Sequence, residues 1–148
     1  MVVQGCSISY GSPGLFLCIR KLQKMKTEKK VILVVDQSLI VLERIIPLLE
    51  ELPNVEFVVH AGNYKEAMGL LGDLRPDLIL MDIDLPDNNG IQLLRVIKER
   101  YENLVVFIAT NIVSDQHRNL CERLGARRFF DKSADYELIT STVAYGSC

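Results

Sequence analysis

Five times after residue 30 the chain repeats one alternation: a short apolar run rich in β-branched residues, then a segment whose apolar residues fall at helical spacing. The first run, residues 31–35, reads V-I-L-V-V without a polar break, as expected of a strand covered on both faces of a parallel sheet. Residues 55–59, 77–81, 104–109 and 127–130 supply the other four. Connections this short between unlike elements favour a parallel sheet with helices packed on both sides, so the body, residues 31–148, reads as an α/β doubly wound fold.

The intervening segments carry their own start and stop signals. Ser38 caps a helix with Val41, Leu42, Ile45, Leu49 and Leu52 on one stripe, and Pro47 is expected to kink or shorten it. Asn63 and Glu66 have capping-box spacing ahead of Ala67, Leu70, Leu71 and Leu74. A third stripe is Ile91, Leu94, Ile97 and Tyr101. Ser114 heads a helix with Val113, Leu120, Cys121 and Leu124, which Gly125 ends. Ser133 is expected to start the last helix, with Leu138, Ile139 and Val143 inward.

Composition bounds the function classes. With 148 residues, 49% hydrophobic and 24% charged, the chain suits one globular domain and not a disordered one. Its net charge of −2 argues against a general nucleic-acid binder. Residues 1–30 hold six basic and one acidic side chain, leaving 11 basic and 18 acidic for the body, so a basic leader precedes an acidic domain. Cys6, Cys18, Cys121 and Cys148 are too far apart for a C-x-x-C pair and read as reduced thiols. The apolar run at residues 14–19 is far shorter than the roughly 18 residues of a membrane span, and its positive charges follow it, the reverse of a secretory signal. A cytoplasmic location without a membrane anchor is expected.

In a doubly wound sheet the ligand site lies beyond the carboxyl ends of the strands. There stand Asp36 after the first run, Asp82 after the third, Thr110 after the fourth and Lys132 after the fifth. Two carboxylates, a hydroxyl and an ammonium thus meet on one rim. A carboxylate attacking an anionic phosphoryl group faces charge repulsion, which a lysine and a divalent ion can offset.

These strand ends, with V-V-D36, P76-D-L-I-L-M-D82-I-D-L-P86, N89-G90, A109-T110 and G125-A-R-R-F-F-D-K132, resemble the receiver domain of two-component response regulators over residues 31–146. The resemblance implies a flavodoxin-like (βα)5 sheet of strand order 2-1-3-4-5. It implies that Asp82 accepts a phosphoryl group from a histidine kinase or phosphotransfer protein, and that Mg²⁺ is held by Asp36, Asp82 and the backbone carbonyl of Asp84. Lys132 would pair with the phosphoryl oxygens, Thr110 would move to bond one of them, and Phe129 matches the aromatic switch. The signal would be read on the face of the fourth helix, fifth strand and last helix, with Phe129 favouring its inward state. Because three residues follow the last helix pattern, a single-domain form is expected, a monomer or weak dimer whose output is contact with a downstream protein, not catalysis.

Two departures qualify the match. Gln37 stands where the family commonly has a second acid, so weak ligation and a lower metal affinity are expected. Ser133 replaces the proline that commonly follows the lysine, and a trans bond is expected there. Other readings stay open. The aspartates could simply cap helices, Lys132 could be a solvated loop charge, Thr110 a helix-entry residue and Phe129 plain core. His60 and His117 lack ligand-spaced partners, and Arg123, Arg127 and Arg128 read as a solvated edge. At the level of function, an unphosphorylated pseudo-receiver is one alternative. A haloacid-dehalogenase-type phosphohydrolase, suggested by D82-I-D84, is another, although its further metal-binding acids have no counterpart beyond Asp135 and Glu137.

Residues 1–24, with scattered Gly, Ser and Pro and no amphipathic stripe, have little to bury and are expected to lie outside the fold. Deletion up to Met25 should leave the melting temperature unchanged; a drop of several degrees would place the leader against the body.

Overall fold

A computed structural model describes residues 29–145. Expectations for residues 1–28, with Cys6 and Cys18, and for residues 146–148, with Cys148, lie outside the described residues. The elements run β1 (Lys30–Val35), α1 (Leu39–Glu50), β2 (Val55–Ala61), α2 (Tyr64–Asp73) and β3 (Leu78–Met81). They continue with α3 (Gly90–Arg100), β4 (Val105–Thr110), α4 (Asp115–Arg123), β5 (Arg128–Asp131) and α5 (Tyr136–Tyr145). All strand pairs are parallel, in the order β2-β1-β3-β4-β5, as the resemblance implies.

Side-chain alternation divides the central strands between two apolar layers. Leu33 and Val35 of β1, Ile79 and Met81 of β3, and Val106 and Ile108 of β4 join Leu71 of α2, Leu94 and Ile97 of α3 and Cys121 of α4. Their neighbours Ile32, Val34, Leu78, Leu80 and Phe107 face the other way, onto Leu42, Ile45 and Leu49 of α1 and Ile139 and Val143 of α5. Burial on both faces explains why these runs carry no polar break.

Local chemistry sets the helix ends. Ser38 caps α1, where Val41 N–H donates to its Oγ over 3.4 Å. Asn63 caps α2 by accepting from Glu66 N–H at 2.9 Å, while Glu66 Oε1 accepts from Gly62 N–H at 2.7 Å, one residue earlier than in the usual reciprocal box. At the end of α4, Ala126 N–H donates to Cys121 O and Gly125 N–H to Glu122 O, a Schellman motif. It requires the left-handed φ of +109° that Gly125 adopts.

Pro47 lies inside α1, which ends at Glu50, short of the expected Leu52; Pro47 and Glu43 are both exposed, so water can serve the Glu43 carbonyl that loses its donor. Three expectations are corrected. Val113 precedes the Ser114 cap of α4 and is 47% exposed, instead of joining its apolar stripe. Ser133 does not start the last helix. Its N–H and Oγ both bond Asp131 Oδ1, at 2.9 and 2.7 Å, and α5 begins only at Tyr136. Leu138 is 53% exposed, because α5 turns Ile139 and Val143 to the sheet instead. No peptide bond among the described residues is cis, so Lys132–Ser133 is trans, as expected.

Gly90, the first residue of α3, packs against the segment leaving β3. A Cβ built there would lie 2.1 Å from the carbonyl oxygen of Ile83. Gly90→Ala should therefore cost about 1–3 kcal/mol of stability by forcing that segment outward. Gly69→Ala, at an exposed α2 position with nothing within 4 Å, should gain about 0.5–1 kcal/mol. Urea melts of the two variants check both signs.

Candidate functional site

Parallel register brings the strand-end residues together. Val35 of β1 pairs with Met81 of β3, and Met81 with Ile108 of β4, so Asp36 and Asp82 leave adjacent strands at one level. Asp82 N–H donates to Val35 O at 2.9 Å across this join. Thr110 pairs with Asp131 at the end of β5, and Lys132 N–H donates to Thr110 O at 3.0 Å.

The acids share one turn device. Asp36 Oδ1 accepts from Ser38 N–H at 2.8 Å, and Asp82 Oδ1 accepts from Asp84 N–H at 2.9 Å. Asp131 Oδ1 accepts from Ser133 N–H in the same way, and Thr110 Oγ1 accepts from Ile112 N–H at 3.2 Å. Each oxygen bonds a backbone donor two residues on, which ends the strand and holds one side-chain oxygen in place.

The other carboxylate oxygens converge on one cation. Lys132 Nζ lies 3.0 Å from Asp36 Oδ2 and 2.5 Å from Asp82 Oδ2. All three residues are buried, with 7%, 3% and 2% exposure for Lys132, Asp36 and Asp82. The floor beneath them is apolar, formed by Val34, Leu80, Met81 and Ala109. Desolvation pushes the Asp36 carboxyl above the ordinary carboxylate range, against the opposing pull of the Ser38 N–H and Lys132. Burial also opposes the Lys132 charge, but the bonds to Asp82 and Asp36 outweigh it and its ammonium is held above the usual lysine range. Two carboxylates against one ammonium leave a net negative charge in a poorly hydrated cleft, a setting that attracts a further cation.

Four of the expected residues, Asp36, Asp82, Thr110 and Lys132, are thus buried at the ends of neighbouring strands, with Thr110 Oγ1 engaged by Ile112 N–H and not by the other three. Gln37 and Asp84 are exposed at the rim, and Gln37 Nε2 donates to the Asp84 carbonyl at 3.0 Å. Phe129 stands apart from the triad, half-buried against the core, with the Arg118 guanidinium 4.7 Å above its ring. Sequence reasoning missed Arg118, whose contact depends on how α4 sits on β5. It offered capping as one reading of the aspartates but did not name the Ser38 and Asp84 N–H donors, although the i, i+2 spacing after each aspartate was a readable signal. His60, Arg123, Arg127 and Arg128 are exposed, and His117 Nδ1 lies 2.7 Å from the Ser114 capping hydroxyl.

No group of three His, Cys, Asp or Glu side chains that could hold a metal occurs among the described residues. What the rim offers is two carboxylates and a backbone carbonyl, an all-oxygen set that suits a hard divalent ion retaining several waters.

Comparison with known proteins matches residues 32–144 to the response regulator receiver domain. A protein-glutamate methylesterase/protein-glutamine glutaminase of Alkalilimnicola ehrlichii is 36% identical over 114 residues, 72% of this chain but 29% of that protein. The chain therefore spans under a third of the length of this curated relative. A two-component response regulator of the LuxR family from Aurantimonas sp. superposes with a TM-score of 0.72 at 27% identity, covering 78% of this chain and 82% of the other. The Mn²⁺-bound form of response regulator Rcp1 shares the fold, with a TM-score of 0.71 at 21% identity over 78% of this chain and 93% of that one.

The raised Asp36 carboxyl carries a sign for stability. A folded-state value above the unfolded one means that ionising Asp36 opposes folding, so its contribution is full below the unfolded value and is lost as pH rises through the folded one. Asp36→Asn should then melt at a higher temperature than the parent at pH 7, with the gap closing as pH falls through the carboxylate range. A lower melting temperature at pH 7 would mean that the Lys132 pair outweighs desolvation.

Proposed function

The chain belongs to the response regulator receiver domain family, and from that premise we propose that it accepts a phosphoryl group on Asp82 from a phosphohistidine of a histidine kinase or phosphotransfer protein. The observation that carries this reading is Lys132 Nζ set between Asp82 and Asp36 in a buried, net negative cleft at the strand ends. A carboxylate oxygen of Asp82 attacks phosphorus, the bond to the donor imidazole breaks, and the nitrogen leaves with its electron pair. Lys132, already on the attacked carboxylate, neutralises charge as it moves onto the phosphoryl oxygens. Thr110, fully buried at the end of the adjacent β4, supplies a hydroxyl that can turn from Ile112 N–H toward the new group. Asp36, Asp82 and the Asp84 carbonyl are the residues that would hold Mg²⁺, which supplies charge neutralisation on the phosphoryl oxygens when bound.

The change is read on the face of α4, β5 and α5. Phe129 and the Arg118 above it lie on that face, where a shift of Thr110 would alter the space behind the ring. The listener is a protein. A phosphohydrolase reading has less support, because Asp135 is engaged with Asp131 N–H at 2.8 Å and Glu137 is exposed on α5, so neither adds a metal-binding acid.

Incubation of the full chain with acetyl phosphate and Mg²⁺, followed by intact-mass analysis, should add one phosphoryl group to the parent and none to Asp82→Ala. Lys132→Ala, which costs stability by leaving two buried carboxylates unpaired, should phosphorylate at least tenfold more slowly at a temperature where a melt shows it folded. An unmodified parent at saturating Mg²⁺ would instead mark a pseudo-receiver that works by contact alone.

A further inference from the structure

We propose that Gln37 is a cap on the carbonyl a divalent ion needs, and not a weak ligand of that ion. This inference rests on the function proposed above and concerns how this chain regulates its metal site. The observation is the 3.0 Å bond from Gln37 Nε2 to the Asp84 carbonyl, which joins the β1–α1 and β3–α3 loops across the mouth of the cleft.

The direction of that bond is dictated by chemistry. A carbonyl oxygen accepts and does not donate, so only the NH₂ end of the amide can face it; Oε1 in that place would set two acceptors against each other. Gln37 therefore presents the positive end of its amide dipole to the Asp84 carbonyl, the oxygen that would join Asp36 and Asp82 in holding a cation. The Asp82 carboxylate and the Asp84 N–H are joined in the turn just before it, which holds Asp84 beside the acid. An approaching ion must share the oxygen with a donor or displace it. For Oε1 to ligate, the side chain must first give up its bond and turn over.

A weak ligand and a cap make opposite predictions for truncation. Removing a ligand lowers metal affinity. Removing a cap raises it, because a water that replaces the amide can point its own oxygen at the ion. The loss of one hydrogen bond from the metal-free state corresponds to a gain of about threefold to tenfold, or about 0.7–1.4 kcal/mol. Gln37 is exposed in a loop, so its truncation leaves both core layers intact.

The test is calorimetric titration of MgCl₂ into the full chain and into Gln37→Ala, with thermal melts in the absence of Mg²⁺ to verify folding. Expected is tighter Mg²⁺ binding by Gln37→Ala, threefold to tenfold, and movement of the parent's Gln37 side-chain NH₂ resonances on adding Mg²⁺. Equal or weaker binding by Gln37→Ala, with the parent still binding, overturns the cap. If Gln37→Ala proves unfolded, Gln37→Leu, which keeps the aliphatic stem and removes the amide, is read by the same criterion. Absence of Mg²⁺ binding in every form overturns the cap together with the metal assignment. Failure of phosphorylation appears separately, as an unchanged intact mass beside normal Mg²⁺ titrations.

Discussion

The ammonium of Lys132 holds Asp36 and Asp82 together in a place where neither carboxylate could stand alone. Burying an unpaired charge costs several kcal/mol, and two carboxylates from adjacent strands would repel each other as well. The cation reaches them from the far side of β4, so β1, β3 and the loop after β5 must all be in register before the cluster is satisfied. The rest of the architecture serves that meeting. Strands covered on both faces keep water from the floor, and the parallel order sets the carboxyl ends on one rim.

That interaction is also unfinished. Its net negative charge leaves a place for a further cation, and a lysine shared by two acids can turn to a third oxygen without a large movement. The chain's departures from the common family pattern fall around this cluster. Gln37 closes its mouth with a neutral donor, where a second acid would have added charge. Ser133 lets Asp131 build a turn from its own carboxylate; the Ser133 hydroxyl and N–H together hold the Asp131 carboxyl below the usual carboxylate range.

Stability elsewhere follows from packing. Cys121 illustrates the point. Burial in α4, with a smaller contribution from Glu122, pushes its thiol up to about 11, so it behaves as a small apolar side chain. Lys98 is a counterpart at the edge: its stem lies on Gly125 and its Nζ donates to Glu102 O and Leu104 O, which closes the end of α3 over the turn into β4.

Much of this was legible in order along the chain. The unbroken apolar runs pointed to strands covered on both faces, as the central three are, the stripe spacings to helices with one dry face, and four polar residues at run ends had to meet if the sheet was parallel. Local chemistry, however, resolves only what neighbours decide. Ser133 carried a helix-start signal, yet Asp131 captured it two residues back, and α5 waited until Tyr136. Leu138 matched the apolar stripe, but the angle at which α5 meets the sheet turned Ile139 and Val143 inward and left Leu138 in water. Which atoms of Gln37 and Asp84 touch, and that Arg118 covers Phe129, depend on distances between loops and helices far apart in sequence. Residue type and spacing determined that two acids, a hydroxyl and a lysine share a rim; only the packed sheet decided which oxygen each donor holds, because hydrogen-bond partners are chosen over tenths of an ångström and periodicity is blind at that scale.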